Sequence, residues 1–355
     1  MSLCIFVGSA APPNIQRLVV NWSDMLGDEF DLHLVTTKGD GFTTDALSGY
    51  SVFGKNHPDT IGGEFRALAK YLSYKSPDVV TQVTRPPIHG LITGILTTHY
   101  NITSIYRYAG DRFYEFKVSN VFNKASKFIL NNIIGRAGIH LSDWYIALGP
   151  SGEKQLLSRG VSAKQLTQLP PSINPERFTQ DVQDPCIPLS QSERTSLLFL
   201  GRLSRLKGLK TLKKTLPEIF DNNPTMDFHI VGSKEGNLSL PAKYRNRVIA
   251  HGFVPPEEVN RYLRHADLLV HPSLTEGIPR AILEALCVGT PVVARDVGDV
   301  SKVTSNTFST SAEFVSLVNS YKSLSADDVR PFTTEELTQD YIDFFKTFTA
   351  HPNEA

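Results

Sequence analysis

The chain has 355 residues, 41% of them hydrophobic and 20% charged, with 36 Lys+Arg balanced by 36 Asp+Glu. The length exceeds one ordinary core and suits two domains, and the composition is that of a globular protein. Zero net charge argues against a nucleic-acid binder, three scattered cysteines (Cys4, Cys186, Cys287) suggest a reducing cytoplasm without a disulfide framework or zinc site, and no run of about 18 apolar residues predicts a membrane span.

Short apolar runs alternate with helical patterns from the first residues onward. Leu3–Val7 reads as a strand, too short and without the basic leader of a signal peptide. A helix over Ile15–Leu26, a strand over Asp31–Thr36 and a helix over Glu64–Tyr74 follow. A strand over Asp78–Thr84 then stops at Arg85-Pro86-Pro87. His89–Thr98 reads as a helix, and Ser104–Tyr108 and Trp144–Leu148 as strands. Strand–helix alternation with short connections predicts parallel βαβ units covered on both faces. The stretch 168–178 carries Pro170, Pro171 and Pro175, which exclude a helix in this reading and stiffen the chain. The polar residues after it read as a linker.

The alternation then restarts. Strands are expected at Ser196–Leu200, Met226–Val231, Val248–His251, Asp267–His271 and Pro291–Arg295. Helices are expected at Gly208–Phe220, Glu257–Ala266 and Arg280–Val288. A last helix, Thr334–Thr349, spaces Tyr341, Phe344, Phe345 and Phe348 along one face. The fold class is therefore α/β: two doubly wound, Rossmann-like parallel-sheet domains, 1–178 and 195–330. The linker is 179–194 and the last helix lies within 331–355. Ligands of such sheets bind outside the carboxyl ends of the strands, so both domains are expected to present loops to a common cleft.

Two constellations carry chemistry. In Ser273-Leu274-Thr275-Glu276-Gly277-Ile278-Pro279-Arg280-Ala281-Ile282-Leu283-Glu284, Pro279 marks a helix start. Glu276 therefore lies on the loop at a strand's carboxyl end, and Glu284 on the following helix. A loop acid can bind sugar hydroxyls, a helix acid can hold both hydroxyls of a ribose, and the helix N-terminus between them favours an anion. In Leu198-Phe199-Leu200-Gly201-Arg202-Leu203-Ser204-Arg205-Leu206-Lys207-Gly208, a strand ends in Gly201 and delivers Arg202 and Lys207, a fork and a point charge suited to a diphosphate. The bland alternatives are a helix-capping acid with a solvated acid, and a basic surface loop.

With these residues the chain resembles the retaining GT-B glycosyltransferases of family 4, the glycosyl transferases group 1. The resemblance is close over 195–300 and includes His251-Gly252-Phe253-Val254 and Pro272-Ser273. It implies that Arg202 and Lys207 stabilise the leaving diphosphate and that Glu276 contacts the donor sugar with help from the backbone of Gly277 and Ile278. Glu284 binds the ribose, and the loop Gly252, Phe253 and Val254 packs on the base. Gly201, Pro279 and Arg280 complete the donor site. It further implies retention of configuration, no metal ion or other cofactor, and a last helix, within 331–355, that crosses back to the first domain. The donor is a UDP- or GDP-type sugar. The acceptor is a glycan or lipid-linked sugar, in surface polysaccharide synthesis.

The first domain departs from the family's glycine pair, reading Gly8-Ser9-Ala10-Ala11-Pro12-Pro13-Asn14. Ser9 is an acceptor-side candidate. His89 follows Arg85-Pro86-Pro87 and is either a catalytic histidine near the donor sugar or a packed helix-start residue. Arg107 and Asp111 end a strand and could orient an acceptor, or Asp111 could be a turn acid. Residues 117–142 hold Lys117, Lys124, Lys127 and Arg136 with no acid, interleaved with apolar residues. They fit either a core-packed helix with a basic outer face or peripheral contact with the inner face of a membrane. The rival to an enzyme is a non-catalytic nucleotide-sugar scaffold or sensor.

Overall fold

The structure is a computed structural model. It describes residues 1–9, 12–38, 41–110, 121–179, 194–233, 236–255 and 258–348, with only the backbone at 45, 121–124 and 179. Asp111, Ala10, most of the expected linker and residues 117–120 thus lie outside the described residues.

Contacts divide the chain into two compact units, Met1–Ser172 with Phe332–Ala355, and Ile173–Pro331. In the first, strands β1 (Ser2–Gly8), β2 (Asp31–Thr36), β3 (Ser51–Phe53), β4 (Val79–Gln82), β5 (Thr103–Tyr108), β6 (Trp144–Ala147) and β7 (Leu166–Gln168) form one sheet in the order β3-β2-β1-β4-β5-β6-β7. In the second, β8 (Thr195–Leu200), β9 (Met226–Val231), β10 (Val248–Gly252), β11 (Leu268–His271), β12 (Val292–Arg295) and β13 (Thr307–Phe308) are ordered β10-β9-β8-β11-β12-β13. Every pairing among the described residues is parallel. Strands buried on both faces need no polar alternation, which is why β1 and β8 read as continuous apolar runs. In each sheet the order reverses once, between β1 and β4 and between β8 and β11. A doubly wound sheet opens to ligands at that reversal, outside the strands' carboxyl ends.

The helix Thr334–Lys346 belongs to the first unit. Thr333 caps it, its hydroxyl accepting from Glu336 N at 3.4 Å. Its face of Leu337, Tyr341, Ile342, Phe344 and Phe345 completes the core that lies under the helix Pro13–Leu26. Tyr341 and Phe345 each meet Trp22 edge-on at 5.8 Å. The Tyr341 hydroxyl donates to Pro170 O at 2.8 Å, which ties the helix to the proline segment.

That segment corrects one expectation. Its end is helical, Glu176–Thr179, because Pro175 precedes the helix instead of interrupting it, where a missing N–H costs nothing. The turn belongs to the second unit: Phe178 is buried there and its carbonyl accepts from the Arg264 guanidinium. β3, β7 and β13 went unread, being two- or three-residue edge strands too short to show a period. So did the helices Pro150–Leu157 and Ser311–Asn319. The second carries a legible signal, the reciprocal capping of Thr310 and Glu313.

Candidate active site

In the second unit the loop after β8 and the loop after β11 meet at the sheet reversal. Gly208 makes this possible: at φ +88° a Cβ there would sit 2.2 Å from Pro272 O. Leu274 N donates to Leu206 O at 2.8 Å, locking the two loops side by side. The consequence is that Lys207 Nζ donates to Glu276 Oε1 at 2.5 Å, across 69 positions of sequence. His271, the last residue of β11, places Nε2 2.9 Å from the same oxygen and 3.2 Å from Ser273 Oγ. Oε1 thus takes both bonds, and no described residue bonds Oε2. The Glu276 side chain is 13% exposed. Burial opposes its ionisation, but the bond and charge of His271, followed by Lys207, outweigh burial. They hold the carboxyl well below the usual carboxylate range. In the sequence His271 reads only as the end of a strand, with no part in the site. Its position one residue before Pro272-Ser273, at a strand's carboxyl end, was the available signal.

The other donor-side candidates fall around this cluster. Arg202 is exposed on the same loop. Gly201, Gly232 and Gly252 end β8, β9 and β10 side by side, with Gly232 N donating to Gly252 O at 2.7 Å. Phe253 beyond them is 69% exposed, while Val254 is buried. Gly277 O accepts from Asp299 N at 3.4 Å, and Ile278 and Pro279 are buried, with Pro279 capping the helix Arg280–Cys287. Glu284 on that helix is buried, and Arg280 Nε lies 4.0 Å from its carboxylate, one turn earlier.

Next to the loop Gly252–Val254, His229 of β9 and His251 of β10 stack at 5.3 Å, with Nδ1 of one 3.0 Å from Nε2 of the other. Burial first, then the charge of His251, pushes His229 down from 6.5 to about 4. Burial likewise lowers His251. A histidine kept neutral by folding supports stability that is complete above pH 6.5 and is lost as pH falls toward 4. The unfolding midpoint of the second unit, followed by calorimetry, should therefore drop by several degrees across that window, and His229→Phe should flatten the drop. An acid-insensitive midpoint in the unmodified chain would count against the pair.

The first unit carries a second cluster at its own reversal. Glu64, from the helix Ile61–Tyr74, is fully buried. Its Oε1 accepts from Ser9 N at 2.7 Å, Ser9 Oγ at 2.6 Å and Arg85 Nη1 at 3.2 Å. Its Oε2 lies 3.2 Å from His89 Nε2. Burial opposes ionisation, yet the His89 and Ser9 bonds lower its pKa to about 2. Gly8 permits this approach: at φ +67° a Cβ would lie 2.7 Å from His89 Cε1 and 2.8 Å from Glu64 Oε1. Each sheet thus places an acid between a histidine and a cation where its strand order reverses. Glu64 and Arg85 were missed because a helix acid facing inward looks, in sequence, like any first-turn acid.

Two acceptor-side expectations need correction. His89 is fully buried behind Gly8, with Nδ1 2.7 Å from Thr84 Oγ1 and its ring 4.7 Å from Phe6, so it buttresses Glu64 instead of facing a substrate. Arg107 is 3% exposed on β5, its guanidinium 5.9 Å from the Trp22 ring, in the core. The even alternation of β5 turns it beneath the helix layer. The core-packed reading of 117–142 is met only in part where residues are described: Ile139 is buried in a core cluster with Gly135 and Gly138 buried beside it, but three apolar residues stand outside. Phe128, Ile129 and Ile133 are exposed, Ile133 to 58%. The reason is that the contact with the helix Pro86–Tyr100 is made through Gly138, where a Cβ would lie 2.8 Å from Leu91 N. No helix among the described residues is long and apolar enough to cross a membrane.

Comparison with known proteins places these features. Residues 194–320 match a family model described as Glycosyl transferases group 1. The amylovoran biosynthesis glycosyltransferase AmsK of Erwinia amylovora is 31% identical over 157 residues, 41% of this chain and 37% of that protein. The putative teichuronic acid biosynthesis glycosyltransferase TuaC of Bacillus subtilis is 31% identical over 163 residues, 44% of this chain and 40% of that protein. The matches thus span less than half the length of these relatives. Among solved structures, Anabaena HepE in complex with UDP aligns with a TM-score of 0.71 at 15% identity, over 98% of this chain and 100% of that one. Sucrose-phosphate synthase of Thermosynechococcus elongatus aligns at 0.73 and 16%, over 99% and 100%. The fold is GT-B, two Rossmann-like parallel-sheet domains.

Proposed function

We propose that the chain is a retaining glycosyltransferase that moves a sugar from a UDP- or GDP-type donor to a glycan or lipid-linked acceptor in cytoplasmic synthesis of a surface polysaccharide. The observation that carries this reading is the Lys207–Glu276–His271 cluster at the reversal of the second sheet. The names of the relatives and the UDP of the HepE complex support it.

In this reading Glu276 offers Oε2 to a sugar hydroxyl while His271 and Lys207 keep it ionised and fixed. Lys207 spends one of three N–H donors on Glu276 and has others for a phosphate oxygen. Arg202 adds a fork to the same diphosphate, and Glu284 takes the ribose. The bond from the anomeric carbon to phosphate oxygen breaks as the acceptor oxygen bonds the same face, and the acceptor proton passes to the departing phosphate. Negative charge grows on the leaving group, so cations fixed beforehand act most in the transition state. The reading assigns that charge to side chains rather than a metal.

The test is a thermal-shift panel of UDP-, GDP- and ADP-sugars. A ligand at a hundred times its dissociation constant adds ~2.7 kcal/mol to apparent stability. The expected result is a saturable rise with a UDP- or GDP-sugar, followed by turnover once an acceptor is supplied. Binding without turnover with any acceptor would favour a sensor, and no binding would remove the donor site. Exposed Phe128, Ile129 and Ile133 beside Lys127 and Arg136 support peripheral contact with anionic lipid. Co-sedimentation with anionic but not neutral vesicles is the expected outcome.

A further inference from the structure

Arg85 stands at the carboxyl end of β4, beside the loop that follows β1, at the reversal of the first sheet. We propose that Arg85, held by Glu64 against Ser9, is a specificity-determining residue that receives an anionic oxygen group, carboxylate or phosphate ester, on the acceptor. The inference rests on the glycosyltransferase reading and gives its acceptor a chemical class.

The argument is one of donors and their use. The Arg85 side chain is 42% exposed, whereas the carboxylate that anchors it is fully buried. Nη1 donates to Glu64 Oε1 at 3.2 Å and Nη2 to Ser9 Oγ at 3.3 Å. A guanidinium has five N–H groups, so a free edge of the fork remains, suited to a bidentate oxyanion. The first turn of the helix that follows Arg85 offers no amide in its place. Pro86 and Pro87 open the helix without N–H groups, and the amides of Ile88 and His89 both donate to Arg85 O at 3.0 Å. On this side of the strand end the side chain of Arg85 is thus the donor available to an anion. Both oxygens of Glu64 are already turned to Ser9, Arg85 and His89, so the like charge lies behind the guanidinium.

The backbone at this position is a further mark of use. Arg85 adopts φ 40°, ψ 56°, the left-handed region that glycine occupies freely, and it does so before a proline, which disfavours helical backbone in the preceding residue. Glycine would be the stabilising choice, and the chain holds an arginine there instead. Strained backbone that persists at a ligand-facing strand end is associated with binding function.

The experiment uses the full chain with UDP at saturation, so that the phosphate-binding residues of the second unit are filled. Glucose, glucuronate and glucose 6-phosphate are titrated by calorimetry. One or both anionic sugars should bind and glucose should not, and the stronger of the two identifies carboxylate or phosphate as the group. Arg85→Gly relieves the backbone, so its thermal midpoint should hold or rise, while anionic affinity falls at least ~10-fold, the loss of one charge-assisted contact, and UDP affinity stays unchanged. Arg85→Asn, which also tolerates this backbone, gives the same comparison if the glycine variant does not fold. Equal binding of the anionic sugars by these variants, or no binding of either by the unmodified chain, overturns the inference. Loss of UDP binding in the unmodified chain would instead sink the donor reading.

Discussion

Glu276→Ala should lower sugar transfer by ~10²–10³-fold, the range seen when one preorganised transition-state contact is removed, while the nucleoside diphosphate still binds. The physical reason is the division of labour at this carboxylate. In the proposed function Oε2 is the oxygen left for the sugar, because Oε1 is committed to Lys207 at 2.5 Å and His271 at 2.9 Å. Removing the acid takes away the sugar contact but frees the Lys207 ammonium for phosphate, so affinity for UDP should hold or tighten. Lys207→Ala separates the two effects. It should lose transfer to a similar degree and weaken UDP as well, because the cation serves the diphosphate directly. Steady-state rates with any accepted donor, set beside UDP affinities from calorimetry, check both variants. Full activity in Glu276→Ala would end the assignment of the second unit.

Phe345→Ala should destabilise the first unit by about 3–5 kcal/mol, the usual cost of truncating a buried aromatic. Phe345 is fully buried and meets Trp22 at 5.8 Å and Phe30 at 6.1 Å. Both tryptophans of the chain, Trp22 and Trp144, lie in the first unit, so tryptophan fluorescence in a urea titration reports that unit alone. The fluorescence midpoint should move far to lower urea. Deleting the chain from Thr333 onward should be more severe, since it strips Leu337, Tyr341, Ile342, Phe344 and Phe345 from the core at once. The apolar face of the helix Pro13–Leu26 would then meet water. A fluorescence transition unaltered by Phe345→Ala would mean that the helix does not complete this core.

Acid should expose the buried carboxylate of the first unit as well. The folded pKa of Glu64 is about 2, below its ordinary 4.5, so its contribution is complete above pH 4.5 and is lost as pH falls toward 2. This window lies below that of the His229–His251 pair, from 6.5 to 4. On acidification the second unit should therefore weaken before the first.

Local sequence determined the strand–helix alternation, the two-sheet fold class and the loops at strand ends. Parallel strands buried on both faces leave unbroken apolar runs, and a helix start can leave a proline such as Pro279. It also placed Glu276, Lys207 and Arg202 on ligand-side loops, because a residue just past a strand's carboxyl end has little choice of where to be. Tertiary structure decided which of those residues meet. Lys207 reaches Glu276 only because Gly208 lets one loop lie against Pro272, and His271 joins them through sheet register. Glu64 comes to Ser9 and Arg85 across a helix, and His89 turns inward behind Gly8 while Arg85, four residues earlier, stays exposed. Side-chain direction and long-range approach depend on close packing between distant segments, which local periodicity does not encode. For that reason the position of Glu276 on a strand-end loop was legible from the chain alone, while its histidine partner and the whole first-unit cluster waited for the fold.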